Sequence, residues 1–211
     1  MKVIVFGATG GTGIELVKQL IDRNYEVSAF IHKNTGALEK YSDKINFFRG
    51  DVLDYNSVQA AISGQEAVLV ALGVVPGVAN GILSDGTGNI IKAMRESGAK
   101  RLVVETGAGL VEDKKTLPVL WRLSSSLLPP MRAMFEAKRQ QESAVMMSDL
   151  DWVIVRPANL TNDSLTKEYN VGQAIKLKTS SHISRANVAD CMINQLNADD
   201  WLKKAIVVSE D

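Results

Sequence analysis

A run of glycines near the start of the chain has the residue types and the spacing of a phosphate-binding turn. The chain begins MKVIVFGATGGTGIELV: a β-branched apolar run stops at Gly7, and apolar residues then recur at helical spacing. This pattern predicts a buried strand, a glycine-rich turn and a helix. Gly7 allows a sharp turn, Gly10 leaves room for a diphosphate, and Gly13 lets helix and strand pack closely. The N–H groups at the start of the helix would then face an anion.

Two threonines and one further glycine belong to the same turn. Thr9 and Thr12 can add hydroxyl donors, and Gly11 gives a second spacing, G-x-x-x-G-x-G, beside G-x-x-G-x-x-G. The strict G-x-G-x-x-G pattern does not fit, because Leu16 stands where its last glycine would be. Since the turn directly follows a predicted strand and precedes a predicted helix, we interpret it as a dinucleotide site and not as a bare turn.

The end of the second predicted strand indicates which dinucleotide is bound. NAD-binding versions of this arrangement carry an acidic residue there to hold the ribose 2′-hydroxyl. Here His32 and Lys33 follow the strand, and no carboxylate does. We therefore expect NADP, with NAD the less favoured alternative. Asp51 follows the third strand and either accepts from the adenine amine, with Val52 against the ring, or caps a turn.

Strand and helix alternate along most of the chain, which predicts an α/β fold. We expect one domain over residues 1–211, a doubly wound parallel sheet (Rossmann fold) with helices on both faces. Ligands of such sheets bind beyond the carboxyl ends of the strands. Two irregular segments, 109–130 and 159–183, are candidates for a small substrate cap, the second with a short hairpin around Tyr169–Leu177; surface loops are the alternative.

Composition and charge exclude several classes of protein. The chain of 211 residues has 24 basic and 24 acidic residues, so its net charge of zero favours neither nucleic acid nor an anionic membrane as a partner. The absence of a leader or long apolar run, and a single cysteine, Cys191, lead us to expect a cytoplasmic protein. His32, His182 and Cys191 lack metal-ligand spacing, so we expect no metal.

Motifs along nearly the whole chain resemble one family. They are VFGATG at Val5–Gly10, GDVL at Gly50–Leu53, ALG at Ala71–Gly73, VIVRP at Val153–Pro157 and ISRANVAD at Ile183–Asp190. Together they resemble atypical short-chain dehydrogenases of the NAD(P)H-binding, NmrA-like type, and most closely the flavin reductase/biliverdin reductase B type. The resemblance implies a Rossmann fold and an NADP site that adds Leu72 and Gly73 to the residues above.

The same resemblance implies where the nicotinamide lies and which residues act there. It would lie near Thr106 and Pro157, and Thr106 stands where the family carries a serine or threonine beside the substrate. Carbonyl-reducing relatives use Tyr-x-x-x-Lys, with the tyrosine as proton donor. Here the matching segment reads Phe135-Glu136-Ala137-Lys138, so the lysine is present and the phenol is not. Without that general acid, ordinary ketone reduction is disfavoured.

Three functions remain open from the sequence. The first is an NADPH-dependent oxidoreductase that transfers hydride to a small planar conjugated acceptor, flavin- or quinone-like, in which alignment matters more than a strong acid. The second is a non-catalytic NADP-sensing regulator of the NmrA type that acts on a protein partner. The third is a sugar-nucleotide epimerase or carbonyl reductase, which the missing tyrosine disfavours.

Overall fold

The alternation of strands and helices is confirmed by a computed structural model, which describes residues 1–73, 81–110, 114–118 and 129–211. The helices are α1 (Gly11–Asp22), α2 (Tyr55–Ile62), α3 (Gly81–Ser97), α4 (Pro129–Met146) and α5 (Arg185–Asn194). The strands are β1 (Lys2–Phe6), β2 (Glu26–Ile31), β3 (Ile45–Arg49), β4 (Ala67–Val70), β5 (Arg101–Glu105), β6 (Asp151–Pro157), β7 (Asn159–Thr161), β8 (Asn170–Gly172), β9 (His182–Ser184) and β10 (Lys204–Ser209). Short 3-10 turns lie at Gly36–Tyr41, Ala108–Leu110 and Lys114–Thr116.

The main sheet has the doubly wound order that the sequence predicts. Its strands run β3-β2-β1-β4-β5-β6-β10-β8, and the pairs from β3 to β10 are all parallel. The chain proceeds outward from β1 in one direction and then returns to β4 on its other side. The carboxyl ends of β1 and β4 are therefore the switch point of the sheet, where ligands of such folds bind.

Alternate residues of each strand enter two separate hydrophobic cores. In β1, Val3 and Val5 pack with α1 and α5 on one face, whereas Ile4 and Phe6 pack with the α2, α3 and α4 side on the other. Burial on both faces explains why these strands read as continuous apolar runs without polar alternation.

Local residue types explain where two helices begin or end. The side chain of Asp54 accepts hydrogen bonds from the backbone N–H groups of Asn56 and Ser57, at 3.1 and 3.3 Å, and so caps α2. Gly98 follows α3 with a φ of +81°, and its N–H donates to the Met94 carbonyl at 3.0 Å. Glycine adopts this left-handed conformation without steric cost, which is why the helix ends there.

The expected hairpin around Tyr169–Leu177 is wrong. Residues 170–172 form β8, which pairs antiparallel with the outer edge of β10, and Leu177 is buried in the hydrophobic core to which α1 and α5 also contribute. The backbone groups along β10 provide a ready-made partner, whereas Leu177 gains more from burial than from an exposed hairpin. The sheet is therefore mixed at this edge, and β7 pairs with β9 in a separate small parallel sheet.

Only parts of the first irregular segment can be compared with its prediction. The described pieces hold two 3-10 turns and the start of α4, and Leu117 is buried. Residues 111–113 and 119–128, where much of the expected cap falls, lie outside the described residues. In the part of the chain that is described, no helix combines the length and the apolar character that crossing a bilayer requires.

Candidate functional site

The glycine-rich turn after β1 packs against the loop after β4 as tightly as backbone allows. Gly7 has a φ of +78°, and a Cβ on it would overlap the backbone of Ala71. A Cβ on Gly13 would overlap the carbonyl oxygen of Gly7, which brings α1 directly onto the end of β1. Both glycines are thus required by close backbone approach, as the sequence predicts.

The start of α1 offers its backbone N–H groups to an anion. Gly10 precedes the helix, no side chain caps it, and its first turn carries no acidic residue. Thr9 is exposed on the turn. Together with the space that Gly7 and Gly13 leave, these features fit the diphosphate of a dinucleotide.

One expected donor of this turn is engaged elsewhere. Thr12 is buried, and its hydroxyl donates to Oε1 of Glu105 at 3.1 Å instead of facing the ligand. A carboxylate that is partly withdrawn from water requires such a donor, and this demand outweighs the predicted role of Thr12.

The far end of the rim carries the groups expected for the 2′-phosphate and the adenine. His32 and Lys33 are exposed directly after β2, and Arg49, which ends β3, donates from Nη1 to the Lys33 carbonyl at 3.0 Å. Arg49 is a second cation at this corner that the sequence reading missed. Asp51 accepts from the Leu53 N–H at 3.0 Å, as a turn aspartate does, and its other oxygen lies 3.8 Å from Nε2 of His32.

Three further predicted residues line the middle of the rim. Val52 is buried, and its methyl groups fill the space beside Gly86 of α3, so that little of its surface faces outward. Leu72 is partly buried and Gly73 exposed, both directly after β4. Among the described residues, none lies within 4 Å of a Cβ placed on Gly73.

A cavity of about 310 Å³ opens beyond the ends of β5 and β6. Its lining is largely apolar and contains no tyrosine among the described residues; the lining residues are Thr106, Gly107, Ala108, Gly109, Met134, Phe135, Lys138, Pro157, Ala158, Asn159 and Leu160. The structure thus brings the predicted Thr106, Lys138 and Pro157 together. The Tyr-x-x-x-Lys spacing from Lys138 leads to Met134 and not to Phe135, which lies only three residues before the lysine; both side chains line the cavity.

A buried ion pair between Arg156 and Glu142 fixes the side chain of Thr106. Arg156 and Glu142 are 1% and 4% exposed, and they form two hydrogen bonds, Nε to Oε1 at 3.0 Å and Nη2 to Oε2 at 2.7 Å. The hydroxyl of Thr106 donates to the same Oε1 at 2.6 Å. A carboxylate bound to arginine accepts only, so the single hydroxyl proton of Thr106 is directed at Glu142, and the oxygen can only accept from other groups.

Lys138 is fixed between this network and a second carboxylate. Its Nζ donates to the backbone carbonyl of Thr106. Burial lowers the pKa of Lys138, and the charges of Glu105 and Glu142 offset part of that effect. Burial likewise raises the pKa of Glu105, and the charge of Lys138, the Thr12 hydroxyl and the charge of Arg185 oppose the rise.

Glu105, Glu142 and Arg156 are site residues that the sequence reading missed. Glu142 lies one helical turn after Lys138 on α4, a spacing that places both on one face. That spacing was a usable signal for Glu142. For Glu105 and Arg156, which sit at the ends of apolar strands, position in a strand gives no indication of their partners.

Comparison with known proteins shows the family. The family model described as NAD(P)H-binding matches residues 7–199. The chain belongs to the NAD(P)H-binding family. The match includes the glycine-rich turn, the cavity and the start of α5, so the geometry described above lies within the family's domain.

Relatives and solved structures cover nearly the whole chain. A chloroplast protein of Arabidopsis thaliana is 27% identical over 98% of this chain and 76% of its own length. The protein YwnB of Bacillus subtilis is 26% identical over 100% of this chain and 99% of its own. Two solved structures are 20% and 19% identical to the chain, and at this identity the likeness supports the fold alone.

The first is ChuY, an anaerobilin reductase from Escherichia coli O157:H7, with a TM-score of 0.82 over 100% of this chain and 97% of that one. The second is a short-chain dehydrogenase/reductase of Veillonella parvula in complex with NADP, with a TM-score of 0.80 over 98% of this chain and 93% of that one.

In the described part of this chain, no group of three or more His, Cys, Asp or Glu residues is arranged to hold a metal ion.

Proposed function

We propose that this protein is an NADPH-dependent oxidoreductase that reduces a small planar conjugated acceptor, flavin- or quinone-like. One observation carries the proposal: the cavity at the ends of β5 and β6 is mainly apolar, and the described residues that line it offer a lysine but no phenol. A flat apolar ring system fits such a cavity, and its conjugation spreads the incoming charge.

The direction of the Thr106 hydrogen bond argues against a simple carbonyl substrate. Carbonyl reduction requires a donor at the oxygen on which negative charge develops. The Thr106 hydroxyl donates to Glu142, so it has no proton for that oxygen. Among the described residues that line the cavity, Lys138 is the basic one, and it stabilises charge that is spread over a ring without having to meet one particular atom.

The chain's own residues divide the work along the rim. The turn at Gly7–Gly13 binds the diphosphate, and Thr106 and Pro157 lie beside the nicotinamide. Bound NADPH supplies the hydride. Lys138 aligns the acceptor and balances charge, while the two-electron reduction is completed by a proton from water. Apolar lining residues such as Phe135 exclude other water from the cavity.

A preference for NADP over NAD is supported by the corner after β2. Lys33 is exposed there, and Arg49 donates to its carbonyl, so two cations flank the position of a 2′-phosphate. No carboxylate follows β2 to hold a free 2′-hydroxyl. The NmrA-like and flavin reductase-like assignment is likewise our proposal. It is supported by the motifs of the sequence and by the fold shared with the reductase ChuY.

The organisation as one domain with a substrate cap belongs to the same proposal. Asn159 and Leu160, at the start of the second irregular segment, line the cavity. We propose that residues 159–183 cover the acceptor from this side. A small-molecule acceptor is thus the expected partner, and a protein partner belongs only to the regulatory alternative.

The proposal is tested by mixing the purified protein with NADPH and, separately, with FMN, FAD, a quinone or a simple ketone. We expect the nicotinamide absorbance to fall with at least one ring acceptor and to stay constant with the ketone. Tight NADPH binding without turnover of any acceptor would overturn the catalytic proposal in favour of the NADP-sensing regulator. Reduction of the ketone alone would favour the carbonyl reductase.

A further inference from the structure

The side chain of Arg185 lies across the start of α1. A Cβ on Gly11, the first residue of that helix, would come within 2.6 Å of Cδ and 2.7 Å of Nε of Arg185. The absence of a side chain at Gly11 therefore makes room for Arg185. The arginine belongs to the ISRANVAD segment, for which the proposed function above gives no role.

The backbone of Arg185 is fixed at the start of α5 and its Nη1 is hydrogen-bonded, but its other guanidinium donors bond to no described residue. As the first residue of α5, it follows Ser184, which caps the helix and whose N–H donates to Oε1 of Glu210 at 2.8 Å. Its Nη1 donates to the Thr161 carbonyl at 3.1 Å and to Oδ1 of Asn162 at 2.7 Å. Its Nε and Nη2 donate to no acceptor in the described part of the chain. A guanidinium thus lies over the glycine-rich turn with donors to spare.

The charges at this point of the rim favour an anion. The first turn of α1 has no acidic residue of its own and no side-chain cap, and Glu105, which accepts from Thr12 of this turn, is offset by the charges of both Lys138 and Arg185. Lys33 lies at the other end of the rim, after β2, and Arg49 lies there as the last residue of β3, while Lys138 donates to the Thr106 carbonyl. Arg185 is therefore the described cation that stands next to the turn itself. Guanidinium donors in a fixed fork match phosphate oxygens better than any other side chain does.

Building on the proposed function, we propose that Arg185 binds the diphosphate of the dinucleotide through Nε and Nη2, while its Nη1 holds the Thr161–Asn162 corner. Asn159 and Leu160 of the same strand, β7, line the acceptor cavity. Arg185 thereby connects the two ligand sites. It acts as a cofactor-binding residue that also positions the cavity wall.

The test measures binding of two ligands, NADPH and adenosine 2′-phosphate, by calorimetry. The second ligand keeps the 2′-phosphate and lacks the diphosphate. In Arg185→Gln we expect the Kd for NADPH to rise about tenfold to a hundredfold, as for a lost charge-assisted hydrogen bond, with that for adenosine 2′-phosphate within about twofold. Arg185→Lys should fall between the two, and the NADPH Kd of Arg185→Gln should depend less steeply on salt.

Arg23→Gln is the matched control for a merely structural effect. Arg23 joins α1 to α5 at the opposite end of α1, through an ion pair with Asp190. We expect this variant to leave the ratio of the two Kd values unchanged. An unchanged NADPH Kd in Arg185→Gln, or an equal loss of both ligands, would overturn the proposal.

A measurement on the unmodified protein covers the case in which Arg185→Gln fails to fold. Phenylglyoxal labels accessible guanidinium groups, and mass spectrometry locates the label. NADPH should protect Arg185, and adenosine 2′-phosphate should not; equal labelling with and without NADPH would refute the contact. If the unmodified protein binds no nicotinamide dinucleotide at all, the proposed function fails, whereas normal binding with no role for Arg185 refutes this inference alone.

Discussion

The two ends of the rim hold their charges in opposite ways. At the nicotinamide end, Arg156, Glu142 and Thr106 are buried and bonded to one another. At the adenine end, His32 and Lys33 are exposed, and the contact from His32 to Asp51 spans 3.8 Å in water. Buried charges require fixed partners, whereas exposed charges are screened and individually weak. The nicotinamide end should thus govern the stability of the fold and the alignment of the ligands, and the adenine end only the choice between NADP and NAD.

The largest effect should follow from breaking the buried pair. Glu142→Leu leaves the Arg156 guanidinium buried without its carboxylate, and we expect it to lower the free energy of unfolding by about 3–5 kcal/mol, measured in urea. The double variant Glu142→Leu/Arg156→Met removes both charges and should recover most of that loss. A loss below about 1 kcal/mol in the single variant would show that the buried pair at the nicotinamide end stabilises the fold no more than an exposed ion pair does.

The next effect should come from the turn between the two ends. In Gly13→Ala the new methyl group overlaps the Gly7 carbonyl, so the turn must open. We expect a loss of about 1–3 kcal/mol in stability and a weaker affinity for NADPH by at least about tenfold. Gly88→Ala in α3 is the control, because its Cβ would meet no described atom within 4 Å. Equal NADPH binding by both variants would contradict the assignment of the diphosphate to this turn.

A smaller and more selective effect is expected at the adenine end. Lys33→Glu should weaken NADPH binding by about tenfold and leave NADH binding within about twofold, because Lys33 contacts only the 2′-phosphate, which NADH lacks. Stability should stay unchanged, because the Lys33 charge is exposed. Lys44→Glu makes the same change of charge just before β3, at the opposite end of the strand from Arg49, and should alter neither ligand. Equal losses for NADPH and NADH would rule out Lys33 as the phosphate partner.

The smallest effect concerns pH. The raised pKa of Glu105 means that the folded state keeps a proton that the unfolded chain loses near its ordinary value of 4.5. Between pH 4.5 and the raised pKa of the folded state, the folded protein binds more protons than the unfolded chain. The free energy of unfolding should therefore fall as pH rises through this window. Unfolding of Glu105→Gln in urea, compared with the unmodified protein from pH 4 to 8, should lack this decline. Parallel curves would show that Glu105 titrates normally.

Local patterns in the sequence were sufficient for the fold and for the close backbone contacts of the glycine-rich turn. Continuous apolar runs identified the strands, because a sheet covered on both faces excludes polar alternation. Gly7 and Gly13 were identified because only glycine permits such close backbone approach. In each case the deciding neighbours are adjacent in sequence, or are backbone atoms that every residue carries.

The side-chain partners could not be read in this way. Thr12 was assigned to the ligand, but it donates to Glu105, which lies 93 residues away and comes near only when β1 and β5 are in the same sheet. The hairpin after Tyr169 failed for a similar reason, since β8 prefers an edge offered by the last strand. Which long-range partner a polar group finds depends on the assembled fold, and no local pattern encodes it.

The orientation of the Thr106 hydroxyl has a consequence for the design of inhibitors. With its proton directed at Glu142, Thr106 offers only lone pairs to a molecule in the cavity. A compound that presents an amide or pyrrole N–H at this position would form a favourable bond, whereas one that presents a carbonyl would set two oxygens against each other. A fragment screen should therefore be enriched in flat molecules with a nitrogen-bound hydrogen on one edge.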